Sequence, residues 1–346
     1  MERQTPAMPT PSPLLRLFGP IEDALRSFFA QRSFPLYHLM EYQLGWRDER
    51  AGLLDAPLVQ PRVHATLCIL ACQALGGATA AAMPSAIAVE MADQFVQVHA
   101  DVQEGSQTRH RRPTVWWVWG PAQAINAGDG LHALARLSLL GRESENPAEH
   151  NLQLLQALDH ACIRMCEGMY EELAFQERAE VPATAYLKMA REKDGALLGC
   201  ALELGALAKG AGMEERSRLR AFGEEVGVAL HIQEDIQSLW GQPLSGKDFG
   251  LDVLNKKKGY PIILALGHAS TGQKRELGTL FLKRVLEPPD VERVKVMLDE
   301  LGVRDKALSA VHDIYSKAAA SLSEATGRAG AFDDLLEVTR WLALRT

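Results

Sequence analysis

The chain has 346 residues, and 44 acidic side chains against 37 Lys and Arg give a formal net charge of −7. That balance supplies no basic face or stripe for nucleic acid, and a composition of 47% hydrophobic and 23% charged residues is too apolar for a disordered protein. No stretch of about 18 uncharged apolar residues occurs, which argues against a spanning helix.

In chain order, residues 1–13 (MERQTPAMPTPSP) are expected to be a disordered leader, because prolines recur at 6, 9, 11 and 13 and the layout of a signal peptide is missing. Leu14 to Phe29 is amphipathic and is expected to pack on the body of the protein. Residues 62–75 are apolar nearly all round, as a central helix should be, and Gly76 and Gly77 stop it. A helix over 84–101 follows, opened by Pro84 and carrying Ile87, Met91, Phe95 and Val98 at helical spacing. After a polar stretch from Glu104 to Arg112, helices are predicted over 121–141, 148–178, 183–209, 214–240 and 257–268. Three more, over 290–301, 303–325 and 330–345, finish the chain. Sequential helices without an alternating β-branched run predict an all-α bundle, one domain over 14–346.

Cys68 and Cys72, and Cys162 and Cys166, form pairs at i, i+4, with Cys200 left over. A four-thiolate metal site is the sharper reading. Small apolar core residues in a reducing cytoplasm is the favoured one.

Two polar breaks interrupt the apolar helices. The first runs from His99 through Asp101 and Glu104 to Arg109–Arg112, and the second from His231 through Glu234, Asp235 and Ser238 to Lys247, Asp252 and Lys256–Lys258. Acids at i, i+3 or i, i+4 share a helix face and can hold a hard cation, while the cations beyond can hold phosphate. Solvated helix ends with internally paired charges explain the same pattern.

The spacing carries a resemblance to the trans-isoprenyl diphosphate synthases, the polyprenyl synthetase family. HADVQEGSQTRHRRPTV at 99–115 resembles the family's HDDxxDxxxxRRGxPT, and QAINAGDGLHALA at 123–135 its AILAGDxLLxxA. EGMYEEL at 167–173 resembles GQxxDL, and YLKMAREKDGALL at 186–198 resembles YxxMxxxKTxxL. FGEEVGVALHIQEDIQS at 222–238 and GKDFGLDVLNKKKGYPIILAL at 246–266 resemble GxxLGxAFQIxDDxxD and GKxxGxDxxxGKxTLPxxxAL.

The resemblance implies an isoprenoid-synthase-type bundle around a deep cavity, with two acidic motifs facing each other. It implies a prenyltransferase whose allylic (prenyl) diphosphate ionises and is attacked by isopentenyl diphosphate, with magnesium and cations absorbing the leaving-group charge. Asp101, Glu104, Glu234 and Asp235 would be the metal ligands, binding Mg2+ weakly and only with diphosphate present. Arg109 and Lys193 would be catalytic. Together with Lys247, Lys257, Arg62 and Phe95 they would contact substrate, Phe95 and Val96 at the cavity floor. Partners would be a second copy or an active synthase.

The motifs depart from the family unevenly. Ala100 replaces the leading aspartate of the first motif, and Ser238 the last of the second. The run GKRxRP falls on Gln60 to Ala65, keeping Arg62 but placing Pro61 for lysine and His64 for arginine, and His110 replaces the second arginine of RRG. Arg109, Lys193, Lys247 and Lys257, on the allylic side, all survive. Three functions fit: a prenyltransferase, a non-catalytic subunit or prenyl-lipid binder beside an active synthase, and a terpene cyclase. The last rests on the run Glu234 to Gln242, loosely similar to NDxxSxxxE. His99, His231, Asn126 and Asp129 are expected to be structural, and Trp116, Trp117 and Trp119 to pack or to face a partner.

Overall fold

The computed structural model describes all residues except 1–7, 56, 57, 59, 141–147, 242, 327–329 and 346. Helix α1 (Ser12–Phe29) buries Leu14, Leu17, Ile21, Leu25 and Phe29 along one face. Ser12 and Pro13 of the expected leader belong to this helix, Pro13 at its first turn where a missing N–H costs little; residues 1–7 lie outside the described residues. Helix α2 (Pro35–Gln43) is too short for periodicity to reveal, although Pro35 marks its start. Helix α3 (Val63–Ala74) is buried on nearly every side, and Gly76 ends it at φ +81°. Helix α4 (Thr79–Glu104) begins five residues before the predicted start, so Pro84 lies inside it. The cost is small, because the exposed Ala80 carbonyl that loses its partner can turn to water.

A short antiparallel hairpin, β1 (Thr108–Arg109) with β2 (Arg112–Pro113), replaces the expected polar loop. Its two turn residues, His110 and Arg111, sit at φ +51° and +60°. Such a turn favours glycine, and left-handed backbone costs a side-chain-bearing residue about 1–2 kcal/mol. Arg111 is exposed, so Arg111→Gly should stabilise the fold by about 1 kcal/mol in chemical unfolding; no gain would mean the turn is unstrained.

Helices α5 (Val115–Trp119), α6 (Pro121–Leu140) and α7 (Ala148–Gln176) follow. Trp116 donates Nε1–H to the Ser106 carbonyl at 2.7 Å, Trp119 packs edge-on against Tyr42, and Trp117 is exposed. Asn126 and Asp129 are solvent-exposed rather than buried. The predicted helix 183–209 is three pieces: α8 (Ala183–Ala190), a π-helical turn (Arg191–Gly195) and α9 (Ala196–Lys209). Helix α10 (Met213–Trp240) is followed by α11 (Leu251–Leu254), α12 (Tyr260–His268), α13 (Thr271–Leu282), α14 (Pro288–Glu300), α15 (Val303–Thr326) and α16 (Asp333–Leu344). Helix α13 was not predicted.

Helices α3 and α9 pack together at the centre, flanked by α4, α7 and α10, while α1 lies on α3, α4 and α16. A smaller core of Leu239, Val253, Ile262, Leu277, Val294 and Leu298 joins the end of α10 to α11–α14. The cysteines are free thiols, four of them buried and Cys166 exposed, and no metal-binding group of His, Cys, Asp or Glu occurs among the described residues.

Candidate active site

Helices α3, α4, α7 and α10 and the π-turn enclose a cavity of about 210 Å³. On α4 one face supplies its wall: Asp93, Val96, Gln97, Ala100 and Glu104, a spacing that keeps every side chain on one side of a 3.6-residue helix. Leu230, His231, Glu234 and Asp235 do the same on α10, and Met165 and Glu172 on α7. The π-turn inserts one residue into the helical ladder and brings Lys193 and Asp194 to the cavity together. Glycine makes that approach possible. A Cβ on Gly168 would lie 2.5 Å from the Lys193 nitrogen, and one on Gly227 would lie 2.4 Å from the Gly195 Cα.

The cavity holds a closed set of charges. Glu104 Oε1 accepts from Lys257 Nζ at 2.7 Å and Lys247 Nζ at 2.9 Å. Lys257 also lies 3.2 Å from Asp252 Oδ1 and 3.5 Å from Glu172 Oε2. Lys193 donates to both oxygens of Glu172, at 2.9 and 2.8 Å. Burial alone would raise the Glu104 carboxyl, but Lys247 and then Lys257 outweigh it and hold it well below the carboxylate range. Glu172 and Asp252 are lowered in the same way, against burial, chiefly by Lys193 and Lys257 respectively. These depressed carboxyls supply stability that is present above the ordinary carboxyl range near pH 4 and lost as pH falls through their folded values. The melting temperature should therefore drop steeply below about pH 4, and less steeply in Glu104→Gln; equal acid limbs in a thermal scan would contradict this.

The other predicted acids are tied to protein donors. Asp101 is not on the cavity wall. It lies one residue past Ala100, about 100° around α4, where its Oδ1 accepts from Arg109 Nε at 3.0 Å and Nη2 at 2.7 Å. Burial raises its carboxyl although Arg109 opposes the shift. Arg109 also donates to the Ser245 carbonyl at 2.5 Å and itself lines the cavity. Glu234 accepts from the backbone N–H groups of Leu244 and Ser245, at 2.8 and 3.0 Å, and from Arg345 at 2.5 Å. Asp235 accepts from Tyr186 Oη–H and from the Tyr260 N–H at 2.7 Å; burial raises its carboxyl. Glu104, Glu234 and Asp235 thus line one cavity while Asp101 is turned onto Arg109, each acid engaged by protein donors, and no group of three or more His, Cys, Asp or Glu placed to hold a metal occurs among the described residues.

Two further predicted contacts are corrected. Arg62 is fully buried away from the cavity, with Nε on Glu22 Oε1 at 2.7 Å, Nη2 on the Leu44 carbonyl at 2.7 Å and Nη1 near Glu90 at 3.4 Å. Phe95 packs between His99 and His132, with centroids 5.1 and 4.7 Å away, so the wall residue is Val96, one step around the helix. Gln242, at the end of the cyclase-like run, lies outside the described residues.

The rest of the polar lining includes Gln60, Pro61, His64, Asp93, Gln94 and Gln97, with no Lys or Arg among them, although the Arg109 charge reaches Asp93. His64 Nδ1 lies 3.6 Å from Asp93 Oδ1. Nearby His231 Nδ1 is hydrogen-bonded to Asp194; burial lowers the imidazole pKa, but the Asp194 charge outweighs it and leaves the net shift upward. Sequence reasoning missed Asp93 and Asp194. Asp93 was findable, because it lies seven residues before Ala100 on the same helix face.

An all-α bundle enclosing a cavity that sets lysines and an arginine against carboxylates, above walls of Val, Leu and Met, defines an isoprenoid-synthase-type protein. The polyprenyl synthetase family profile matches residues 61–300. A geranylgeranyl diphosphate synthase of Mycobacterium tuberculosis is 34% identical over 297 residues, 84% of this chain and 82% of the relative. A crystal structure of a polyprenyl synthetase from Streptomyces coelicolor superposes with a TM-score of 0.85 at 25% identity, covering 96% of this chain and 99% of the other. A geranylgeranyl pyrophosphate synthetase from Pyrococcus horikoshii gives 0.82 at 25% identity, covering 96% and 98%. The chain belongs to the polyprenyl synthetase family.

Proposed function

We propose that this protein binds an allylic prenyl diphosphate as donor and does not condense isopentenyl diphosphate efficiently. The observation that carries this reading is the segregation of charge in the cavity. Lys193, Lys247 and Lys257 gather around Glu104 and Glu172 in one cluster, while Gln60, Pro61, His64 and Asp93 line the cavity with no Lys or Arg among them and only the Arg109 charge within reach of Asp93. Diphosphate binding rests on charge-assisted contacts worth about 1.5–3 kcal/mol each. The cation-poor lining therefore offers a second diphosphate little. The prenyl chain suits the Val96, Met165, Leu197, Leu198 and Leu230 wall, where burial contributes roughly 25 cal/mol per Å².

Mg2+ enters this reading only with the ligand, because diphosphate supplies the oxygens that the occupied carboxylates lack. Free thiols suit a reducing cytoplasm, and no described helix is long and apolar enough to cross a membrane. Exposed Ile125, Leu137 and Leu140 on α6, with Leu152, Ile163 and Tyr170 on α7, support pairing with a second copy or a related synthase. A non-catalytic subunit is the second reading, favoured by the pairing of the cavity lysines with carboxylates. The cyclase reading loses support because no Phe, Tyr or Trp lines the cavity among the described residues.

Calorimetry with farnesyl, geranylgeranyl and isopentenyl diphosphates, with and without Mg2+, tests the reading alongside product analysis by mass spectrometry. Prenyl diphosphates should bind more tightly than isopentenyl diphosphate, and Mg2+ alone should give no measurable heat. Rapid formation of a C5-extended diphosphate would overturn the reading.

A further inference from the structure

The cation-poor part of the cavity has chemistry of its own. A second diphosphate placed there would meet the Asp93 carboxylate, with His64 beside it and Arg109 already committed to Asp101 and the Ser245 carbonyl, and burial disfavours protonation of His64 more than Glu90 and Asp194 promote it. Arg62, the guanidinium of that segment, is turned into the core. The remaining polar groups, Gln60, Gln94 and Gln97, are neutral amides suited to a hydroxyl group. Asp93 is held in place by Gln97 Nε2 at 2.6 Å, with His64 beside it. Burial raises its carboxyl to about 7; Asp194 from the π-turn adds to the rise, while Gln97, Arg109 from the hairpin and Arg62 oppose it. A carboxyl poised near neutrality can accept and return a proton at working pH.

We propose that Asp93 is the general base for a neutral hydroxyl acceptor that occupies this part of the cavity in place of a second diphosphate, with His64 positioning it. The inference rests on the donor reading above. The allylic C–O bond breaks and its electron pair leaves on the diphosphate. The acceptor oxygen gives a lone pair to the allylic carbon, and its proton passes to the Asp93 carboxylate and then to solvent. The products are diphosphate and a prenyl ether, or a prenyl alcohol when water is the acceptor. A migrating carbocation quenched without an acceptor is less well served, because no Phe, Tyr or Trp lines the cavity among the described residues.

The test uses the full chain with geranylgeranyl diphosphate and Mg2+ in 18O-labelled water, with phenol as a larger hydroxyl probe. Products are read by mass spectrometry and donor affinity by calorimetry. The expected result is labelled prenyl alcohol or phenyl ether, formed faster than without protein, with a rate that rises through a midpoint near pH 7. Asp93→Asn should lower that rate roughly 100-fold and abolish the midpoint, with donor affinity kept within about twofold, since the Asp93 carboxylate contacts Gln94, Gln97 and His64 and pairs with none of the lysines. The variant should fold, because it removes a carboxylate whose charge burial disfavours; a thermal scan checks this, and His64→Gln, which keeps Asp93, should slow the reaction less. Hydrocarbon products, extension with isopentenyl diphosphate, a bound donor that never turns over, or an unchanged Asp93→Asn rate would each overturn the inference. Failure of the donor to bind would instead sink the donor reading itself.

Discussion

Arg62→Met should cost about 3–5 kcal/mol of folding stability and leave the preference for prenyl over isopentenyl diphosphate unchanged. Arg62 resembles the one surviving guanidinium of a substrate-binding run, yet its side chain is only 1% exposed and reaches Glu22, Glu90 and the Leu44 carbonyl. Methionine fills similar space but leaves the Glu22 and Glu90 carboxylates buried without their guanidinium. Glu22 keeps the Trp46 indole N–H at 2.7 Å and the half-exposed Arg26 at 3.9 Å, and Glu90 keeps Gln94 Nε2 at 3.2 Å. Removing one member of a buried ion group costs more than the group contributes, because the orphaned charge stays behind. The double variant Arg62→Met with Glu90→Gln should recover part of the loss. Chemical denaturation reads the first effect and calorimetry the second. A stable Arg62→Met that loses diphosphate binding would return Arg62 to the substrate site.

The position of Arg62 illustrates how far the sequence could be read. Apolar periodicity located most helices within a few residues, because burial on one face leaves a signal of 3.6-residue period. It failed for α2, and for α13, in which Leu277 alone is buried and no apolar face repeats. The Ser270–Gln273 capping box was the available signal for α13. The π-turn was not legible, because it depends on the close approach of Gly168, Gly195 and Gly227 from three separate segments. The motifs located the cavity, but not which neighbour of each motif residue faces it. Ala100 and Val96 face inward where Asp101 and Phe95 turn away. A one-residue step turns a helical side chain by about 100°, so such assignments need the helix axis and its partners. The pairing of Lys257 with Glu104, Asp252 and Glu172 joins three regions of the chain that no local pattern links.

That pairing sets up the sharpest expected result for donor binding. Lys257→Ala should weaken prenyl diphosphate binding by about 10- to 100-fold, the loss of one charge-assisted contact of about 1.5–3 kcal/mol. His64→Ala should leave it nearly unchanged, because the ion pair of His64 is with Asp93 and not with the lysine cluster. Lys257 Nζ sits among three carboxylates, and burial, which would lower its pKa, is outweighed by Asp252, Glu172 and Glu104. A diphosphate must compete with those carboxylates for the lysines. Glu104→Gln removes a competitor of both Lys247 and Lys257 and should tighten binding of geranylgeranyl diphosphate when Mg2+ is absent. If Glu104 instead served as a metal ligand, the same substitution would weaken binding when Mg2+ is present and do nothing without it. Calorimetric titrations of wild type, Lys257→Ala and Glu104→Gln, each with Mg2+ and with chelator, separate the two. Weakened Mg2+-dependent binding in Glu104→Gln would restore an ordinary metal-bridged donor site. Tighter binding in chelator would mean that the lysines are held in reserve by their own acids until a diphosphate displaces them.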